Sequence, residues 1–199
     1  MTNHDNEYQI ETKNKPVSNL ALKVLKYIPK KSSIIDLGAG AGNDSIYFAD
    51  NGHNVIAIDR ETSVLSEILD GFGDKYWSKI KVIRDDFYHV NLQSGNVFFA
   101  NYSLPFCGSD VFDEKWSRIE SQVQVGGYIS FVFFGLNDDW KNSTDKFTLH
   151  SKENILSMLK NYEILDLEEK EFDGKSMRPN GEIINKHWHV IEVIAKKEN

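Results

Sequence analysis

Ile34-Ile35-Asp36-Leu37-Gly38-Ala39-Gly40-Ala41-Gly42-Asn43-Asp44 is the stretch of sequence on which the interpretation of the whole chain depends. Its apolar start is typical of a buried strand. Three glycines within five positions then allow a tight turn, and Asn43-Asp44-Ser45 offers N-cap side chains for a following helix. Such a junction of strand, loop and helix lets a ligand approach free backbone N–H groups.

The spacing of the glycines indicates the kind of ligand. A dinucleotide fingerprint needs glycine at its first, third and sixth positions; Gly38 and Gly40 fit, but position 43 is asparagine. The third glycine is Gly42, and Asp36 precedes the loop, where a carboxylate would repel a diphosphate and attract a cation. The pattern favours a positively charged ligand. A glycine turn without any ligand is the plain alternative, although one glycine would suffice for it.

The segment from Asp36 to Gly42 resembles motif I of the class I S-adenosylmethionine-dependent methyltransferases, in which apolar residues and an acid precede Gly-x-Gly-x-Gly. The resemblance implies S-adenosylmethionine as the cofactor, with Asp36 near its methionyl ammonium. It also implies that the loop passes beneath the cofactor. The loop residues that would then bind the cofactor are Gly38, Ala39, Gly40, Gly42 and Asn43. Within the family, the chain looks like the small-molecule and tellurite-resistance branch.

A second acid follows at the end of the apolar run 54–59. It lies about 20 residues beyond the first glycines, where dinucleotide-type sites place a carboxylate that binds ribose. A carboxylate can accept hydrogen bonds from both ribose hydroxyls. We therefore predict that Asp59, with the adjacent Arg60, contacts the cofactor. Capping of the next helix is the alternative role for Asp59.

The ends of the third and fourth predicted strands complete the cofactor site. Asp85-Asp86-Phe87 follows the strand 80–84, and the resemblance implies that an acid here bonds the adenine amino group while an apolar neighbour packs on the ring. Asp86 with Phe87 matches best, Asp85 is the rival, and an exposed Asp-rich turn is the alternative. Asn101 and Tyr102 follow the strand 96–100, at the position of motif IV. They lack the two prolines of amino-directed nucleic-acid methyltransferases.

The methyl acceptor is expected at the same edge of the sheet, since ligands of such folds bind at the carboxyl ends of the strands. The candidate acceptor residues are Tyr102, Phe106, Trp140, His150 and Trp188. Tyr102 and Phe106 fit a role as core aromatics equally well. The catalytic residue stays unknown: a soft anion such as a thiolate needs no base, whereas a hydroxyl or amine would need one.

Three histidines are candidates for such a base, namely His150, His187 and His189. His187 and His189 share one face of a predicted strand, which is also a spacing seen in metal sites. Because no cysteine or third histidine lies nearby in sequence, we predict no metal site.

Composition restricts the partners and the compartment. The net charge of −7 argues against a broad nucleic-acid or anionic-membrane surface. The single Cys107, the polar N-terminus and the lack of a long apolar run favour a cytoplasmic protein. We expect a monomer or homodimer with a mobile N-terminal segment, residues 1–15, and a single methyltransferase domain, residues 16–199.

Five predicted strands alternate with helices, and two further strands, 162–167 and 187–195, follow with no helix between them. This order predicts an α/β fold with a Rossmann-like, doubly wound, seven-stranded sheet, mostly parallel with an antiparallel C-terminal strand. The predicted function is methyl transfer from S-adenosylmethionine to a small molecule by in-line displacement. A non-catalytic regulator that binds the cofactor and a nucleotide-dependent oxidoreductase are the alternatives.

Overall fold

The computed structural model describes residues 4–92, 95–177 and 182–199, and within these ranges eight strands form one sheet. The strands are β1 (Ser33–Leu37), β2 (Asn54–Asp59), β3 (Ile80–Arg84), β4 (Gly95–Ala100), β5 (Val123–Gly135), β6 (Leu149–His150), β7 (Tyr162–Met177) and β8 (Ile183–Lys197). The α-helices are α1 (His4–Thr12), α2 (Asn19–Val24), α3 (Asn43–Asp50), α4 (Ser63–Gly71), α5 (Asp74–Trp77), α6 (Phe112–Gln122) and α7 (Lys152–Met158), and a 3-10 helix spans Asp139–Asn142.

The strand order confirms the predicted fold class. It is β3-β2-β1-β4-β5-β8-β7, with β6 beside β5. β1 to β5 pair in parallel, whereas β8 lies antiparallel to both β5 and β7. The count of seven strands is corrected to eight, because β6 pairs with β5 over two residues only, too few to show a periodic sequence pattern.

Helices cover both faces of the sheet, and successive residues of each strand supply the two cores. Ile34 packs with α2, α3 and α4, while its neighbour Ile35 packs with α6 and α7. Phe98 and Phe99 divide in the same way between the two faces. Strands buried on both faces are apolar at nearly every position, which is why the sequence shows continuous runs there instead of alternation.

β7 and β8 are longer than predicted. Beyond the last pair with β5, Phe134 with Val190, the two strands continue as a ribbon of their own. Polar residues dominate this ribbon because little of the sheet's core packs against it, so its sequence resembles a loop. The ribbon passes the carboxyl end of β5 and carries His187, Trp188 and His189. Residues 173–177 and 183–186, which lie between the two predicted strands, are thus strand as well, and residues 178–181 lie outside the described ranges.

The direction in which the chain adds strands to the sheet reverses between β1 and β4. From β1 the chain moves outward to β2 and β3, and it then returns to the other side of β1 to form β4. At such a switch point the loops after neighbouring strands diverge and leave a crevice outside their carboxyl ends. No helix in the described residues is long and apolar enough to span a bilayer.

Candidate functional site

A cavity of about 310 Å³ lies at this switch point. It brings together eleven of the thirteen predicted cofactor residues: Asp36, Gly38, Ala39, Gly40, Asn43, Asp59, Arg60, Asp86, Phe87, Asn101 and Tyr102. Gly42 and Asp85 do not line it. The carboxyl ends of four neighbouring parallel strands therefore converge on one space.

The glycine loop has a backbone that side chains would disturb. Gly38, Gly40 and Gly42 all adopt left-handed φ angles, of 78°, 55° and 83°. A Cβ atom on Gly38 would lie 2.4 Å from the Cβ atom of Ser103, and one on Gly42 would lie 2.2 Å from Cδ1 of Leu65. Gly42 is thus required by packing under the loop, although it does not line the cavity.

Asp36 is a carboxylate almost sealed from water, with an exposed fraction of 2%. Its Oδ2 accepts a hydrogen bond of 2.5 Å from the hydroxyl of Ser45. Burial raises the pKa of Asp36 to about 8, the nearby Asp44 and Asp59 carboxylates raise it further, and the Ser45 hydrogen bond opposes the rise. At neutral pH a proton therefore occupies the ligand-free site, and an approaching cation would displace it.

The residues predicted to cap α3 have other partners, so the N-cap prediction is wrong. Gly42 occupies the N-cap position, and no side chain caps the helix. Instead, Asn43 donates to the carbonyl oxygen of Thr12 at 2.9 Å, and Asp44 accepts from the backbone N–H of Ser18 at 2.8 Å. Asp44 also accepts from the side chain of Asn101 at 3.2 Å, which links the first turn of α3 to the end of β4.

Asp59 ends β2 inside the cavity and does not cap α4, which has no side-chain cap. Its Oδ2 accepts from the N–H of Gly40 at 2.8 Å, and its Oδ1 accepts from the N–H of Glu61 at 3.0 Å. Burial raises the pKa of Asp59, while these two backbone donors oppose the rise. The first donor fixes the carboxylate against the glycine loop.

At the end of β3, the structure separates the two acidic candidates. Asp86 lines the cavity and accepts from the N–H of Tyr88 at 2.9 Å. Phe87 also lines it, with its ring 4.3 Å from the ring of Tyr88 and close to the glycine loop. Asp85 is exposed and instead accepts from the N–H of Asp86 at 2.8 Å.

Tyr102 lines the cavity in a strained backbone conformation. Its φ angle of 53° is unusual for a residue with a side chain and is a feature that clusters at functional sites. Burial, with the charges of Glu192 and Asp138, raises the pKa of its phenol to about 12. The phenol is therefore protonated at neutral pH and can donate a hydrogen bond, but it is unsuited to accept a proton.

Comparison with known proteins identifies the family. The family model described as tellurite resistance protein TehB matches residues 3–189. The chain belongs to the TehB family. This confirms the predicted membership of the class I S-adenosylmethionine-dependent methyltransferases and the prediction of an enzyme of that class. Among curated protein sequences, none matches the chain at a significant level.

Solved structures share the fold at low sequence identity. TehB from Haemophilus influenzae is 16% identical with a TM-score of 0.73, over 98% of this chain and 67% of that one. A 1,6-didemethyltoxoflavin-N1-methyltransferase from Burkholderia thailandensis, with bound 1,6-didemethyltoxoflavin and S-adenosylhomocysteine, is 14% identical with a TM-score of 0.70, over 99% and 84%. A SAM-dependent methyltransferase from Methanosarcina mazei is 17% identical with a TM-score of 0.61, over 92% and 99%.

In this TehB-family chain, the candidate acceptor residues do not all reach the cavity. Tyr102 and Phe106 line it, whereas Trp140 and Trp188 lie one layer behind them. The Trp188 ring is 5.7 Å from that of Tyr102, and the Trp140 ring is 5.6 Å from that of Phe106. Both tryptophans therefore support the wall and do not form its surface.

A buried ion pair holds this supporting layer in place. Nζ of Lys186 lies 2.5 and 2.6 Å from the two carboxylate oxygens of Asp138, and neither side chain is more than 1% exposed. The same ammonium is 3.6 Å from the ring centre of Trp188 and 4.2 Å from that of Trp140, within cation–π range. Burial lowers the pKa of Lys186, and Asp138 opposes the change.

The three histidines considered as bases lie outside the cavity. His150 is buried on the face of the sheet that α6 and α7 cover. Its ring lies 4.5 Å from the Phe112 ring and 5.7 Å from the Phe133 ring, and burial lowers its pKa to about 4. His187 contacts Asp173 and Glu171, and His189 contacts Glu169. Among the described residues, no group of three or more His, Cys, Asp or Glu side chains is arranged to hold a metal ion.

The N-terminal helix contributes residues that the sequence did not indicate. Asp5, Tyr8, Gln9 and Thr12 of α1 line the cavity, as does Lys15, which follows the helix. The helix carries few apolar residues and is held largely by polar contacts, so it lacks the amphipathic stripe that would have marked it. The only sequence signal was its position before the first strand.

Proposed function

We propose that the chain binds S-adenosylmethionine in this cavity and transfers its methyl group to a small-molecule acceptor by in-line displacement. The observation that carries the proposal is the convergence of Asp36, Asp59 and Asp86 from three adjacent strands around a glycine loop. The fit between cavity and cofactor rests on charge: the buried carboxylate of Asp36 and the partly buried carboxylates of Asp59 and Asp86 suit a ligand with cationic and hydrogen-bond-donating groups.

Each part of the cofactor has residues of matching chemistry. Asp36, with its raised pKa, would lose its proton to hold the methionyl ammonium. Asp59 would accept from a ribose hydroxyl, and Asp86 from the adenine amino group, with Phe87 against the ring. The open backbone at Gly40, where a Cβ atom would contact nothing within 4 Å, leaves room for the ligand beside the loop.

The bound cofactor supplies an electrophilic methyl group on a sulfonium, so the protein must align the acceptor and exclude water. Among the described residues that line the cavity there is no histidine. The pKa of Tyr102 is raised by burial, and that of Tyr8, which is 48% exposed, is raised by partial desolvation of its phenol and by the Asp59 carboxylate, so both phenols keep the proton with which they can donate. We propose that they orient an acceptor that arrives ready to attack, such as a thiolate or another soft anion, without a dedicated base.

The proposed acceptor is small. The cavity volume of about 310 Å³ is near the lower end of the range of roughly 300–1,000 Å³ for small-molecule sites. The cofactor would share that space with the acceptor, and Tyr8, Tyr102 and Phe106 are among its aromatic lining residues. Tellurite, after which the family is named, is one acceptor to test.

The single buried Cys107 and the charge of −7 support a cytoplasmic enzyme that acts on neither nucleic acid nor membranes. We further propose that residues 16–199 form the methyltransferase domain and that the segment before it, of which the structure describes residues 4–15, closes its cavity. The hydrogen bonds from Gln9 to Asp59 and Glu61 support this closing role.

Transfer of a labelled methyl group tests the proposal. S-adenosylmethionine labelled in its methyl group is incubated with the protein and a panel of tellurite, thiols, hydroxyl compounds and amines. We expect labelled product with at least one small acceptor, and Asp59→Ala should abolish most of it. Cofactor binding without transfer to any acceptor would instead support the non-catalytic regulator.

A further inference from the structure

Gln9 is a buried amide with half of its hydrogen-bonding capacity unused. It lies in α1, is 2% exposed and lines the cavity. Its Nε2 donates to the carbonyl oxygen of Glu61 at 2.7 Å and to Oδ1 of Asp59 at 3.3 Å. Its Oε1 is buried without a hydrogen-bond partner in the described part of the chain.

The orientation of this amide follows from its neighbours. The Glu61 carbonyl can only accept hydrogen bonds and makes the shorter of the two contacts, so the NH2 group must face it. A flipped amide would place oxygen against two oxygens. The Oε1 atom of Gln9 is therefore turned away from both groups, and a buried acceptor left without a donor is unfavourable unless a ligand supplies one.

Asp59 alone has too little capacity for a diol. A carboxylate offers about four acceptor positions. Oδ1 of Asp59 already accepts from Glu61 and Gln9, and Oδ2 accepts from Gly40. One position remains, on Oδ2, whereas a vicinal diol brings two hydroxyl donors. The second hydroxyl needs another acceptor close to Asp59, and Oε1 of Gln9 is a buried, unpartnered acceptor on an amide that touches Asp59.

We propose that Gln9 is a cofactor-contacting residue, in which Oε1 accepts from one ribose hydroxyl while Oδ2 of Asp59 accepts from the other. This inference rests on the proposed function, since it concerns the same site. It makes α1 part of the binding site. The helix is also held by the contacts of Thr12 with Asn43 and of Asn6 with Ser63, neither of which depends on a ligand.

Calorimetric titration with three ligands tests the assignment. The ligands are S-adenosylhomocysteine and its 2′-deoxy and 3′-deoxy analogues. The proteins are wild type, Gln9→Leu, Gln9→Met and the control Gln122→Leu. Gln122 is a suitable control because its amide lies on α6 and does not line the cavity. Both Gln9 variants should bind S-adenosylhomocysteine about 5- to 10-fold more weakly, as expected for one lost hydrogen bond. For one deoxy analogue, the one that lacks the hydroxyl bound by Gln9, they should match wild type. Gln122→Leu should match wild type throughout.

A different pattern would overturn the assignment. Equal weakening for all three ligands, the result expected of Asn6→Ala, would mean that Gln9 only holds α1 in place. Tighter binding by the Gln9 variants would mean that the amide occupies the place of a ribose hydroxyl. Failure of wild type to bind S-adenosylhomocysteine would refute the proposed function itself, so the two failures are distinguishable.

Discussion

Replacing Asp36 with asparagine should stabilise the ligand-free protein, and the gain should grow with pH. The pKa of Asp36 is raised from 3.8 to about 8 by burial. Between these values the folded chain holds a proton that the unfolded chain has lost, so wild type loses stability as the pH rises towards 8. One pKa unit is equivalent to ~1.4 kcal/mol. The asparagine has no such proton, and its advantage should be on the order of 1–2 kcal/mol at pH 5 and ~4 kcal/mol at pH 7.

Urea unfolding of wild type and Asp36→Asn at pH 5, 6, 7 and 8 measures this trend. Asparagine can still accept the hydrogen bond from Ser45, so the local packing is retained. The exposed Asp145 provides the control, because Asp145→Asn removes a carboxylate of equal charge at a surface turn. A difference in unfolding free energy that stays constant with pH, or a variant less stable than wild type at pH 8, would refute the reasoning.

The same variant should lose cofactor affinity. If Asp36 holds the methionyl ammonium, its removal costs a charge-assisted hydrogen bond, worth about 1.5–3 kcal/mol or roughly 10- to 100-fold in affinity. Wild type should also release a proton on binding at pH 7, because the ligand cation lowers the pKa of Asp36. Titrations in buffers of different ionisation enthalpy detect that proton. Binding to Asp36→Asn with unchanged affinity and no proton release from wild type would contradict the assignment.

Three further substitutions test other parts of the account. Asp59→Ala should weaken binding of S-adenosylhomocysteine by roughly 10- to 100-fold in calorimetry, and an unchanged affinity would remove Asp59 from the site. Lys186→Met leaves the buried Asp138 charge without its partner and should cost about 3–5 kcal/mol in urea unfolding; a loss below ~1 kcal/mol would show that the pair is not needed. Gly42→Ala should lower the melting temperature, because its Cβ atom would lie 2.2 Å from Cδ1 of Leu65 at a left-handed φ, whereas an unchanged melting temperature would contradict that geometry.

The sequence predicted the sheet and the acidic strand ends well, for a physical reason. β1 and β2 are apolar at most positions because buried parallel strands need apolar side chains on both faces, whereas β3, at the edge of the sheet, is only partly buried. Asp36 and Asp59 interrupt or end those runs, and parallel strands bring such residues to one edge. Acidic residues at the ends of buried parallel strands can therefore be identified from the sequence alone.

What could not be predicted depends on contacts between distant segments. Asn43, Asp44 and Ser45 have the composition of a helix cap, yet their partners are Thr12, Ser18, Asn101 and Asp36, which no local pattern reveals. The position of α1 at the cavity, and the contacts of Gln9 with Asp59 and Glu61, could not be predicted for the same reason.

His150 illustrates a different difficulty, the choice between the two faces of a sheet. It follows the loop after β5, as expected of an acceptor residue, but its side chain lies on the face covered by α6. The pairing of β6 with β5 decides that face, and two residues give no periodicity from which to infer it.

Calorimetric titration of the wild-type protein with S-adenosylhomocysteine tests the central claim most directly, namely that the acidic cavity between β1 and β4 is a cofactor site. We predict saturable binding of one ligand per chain that Asp36→Asn and Asp59→Ala each weaken by at least roughly 10-fold. Absence of binding at millimolar ligand, or binding that neither substitution affects, would contradict the account.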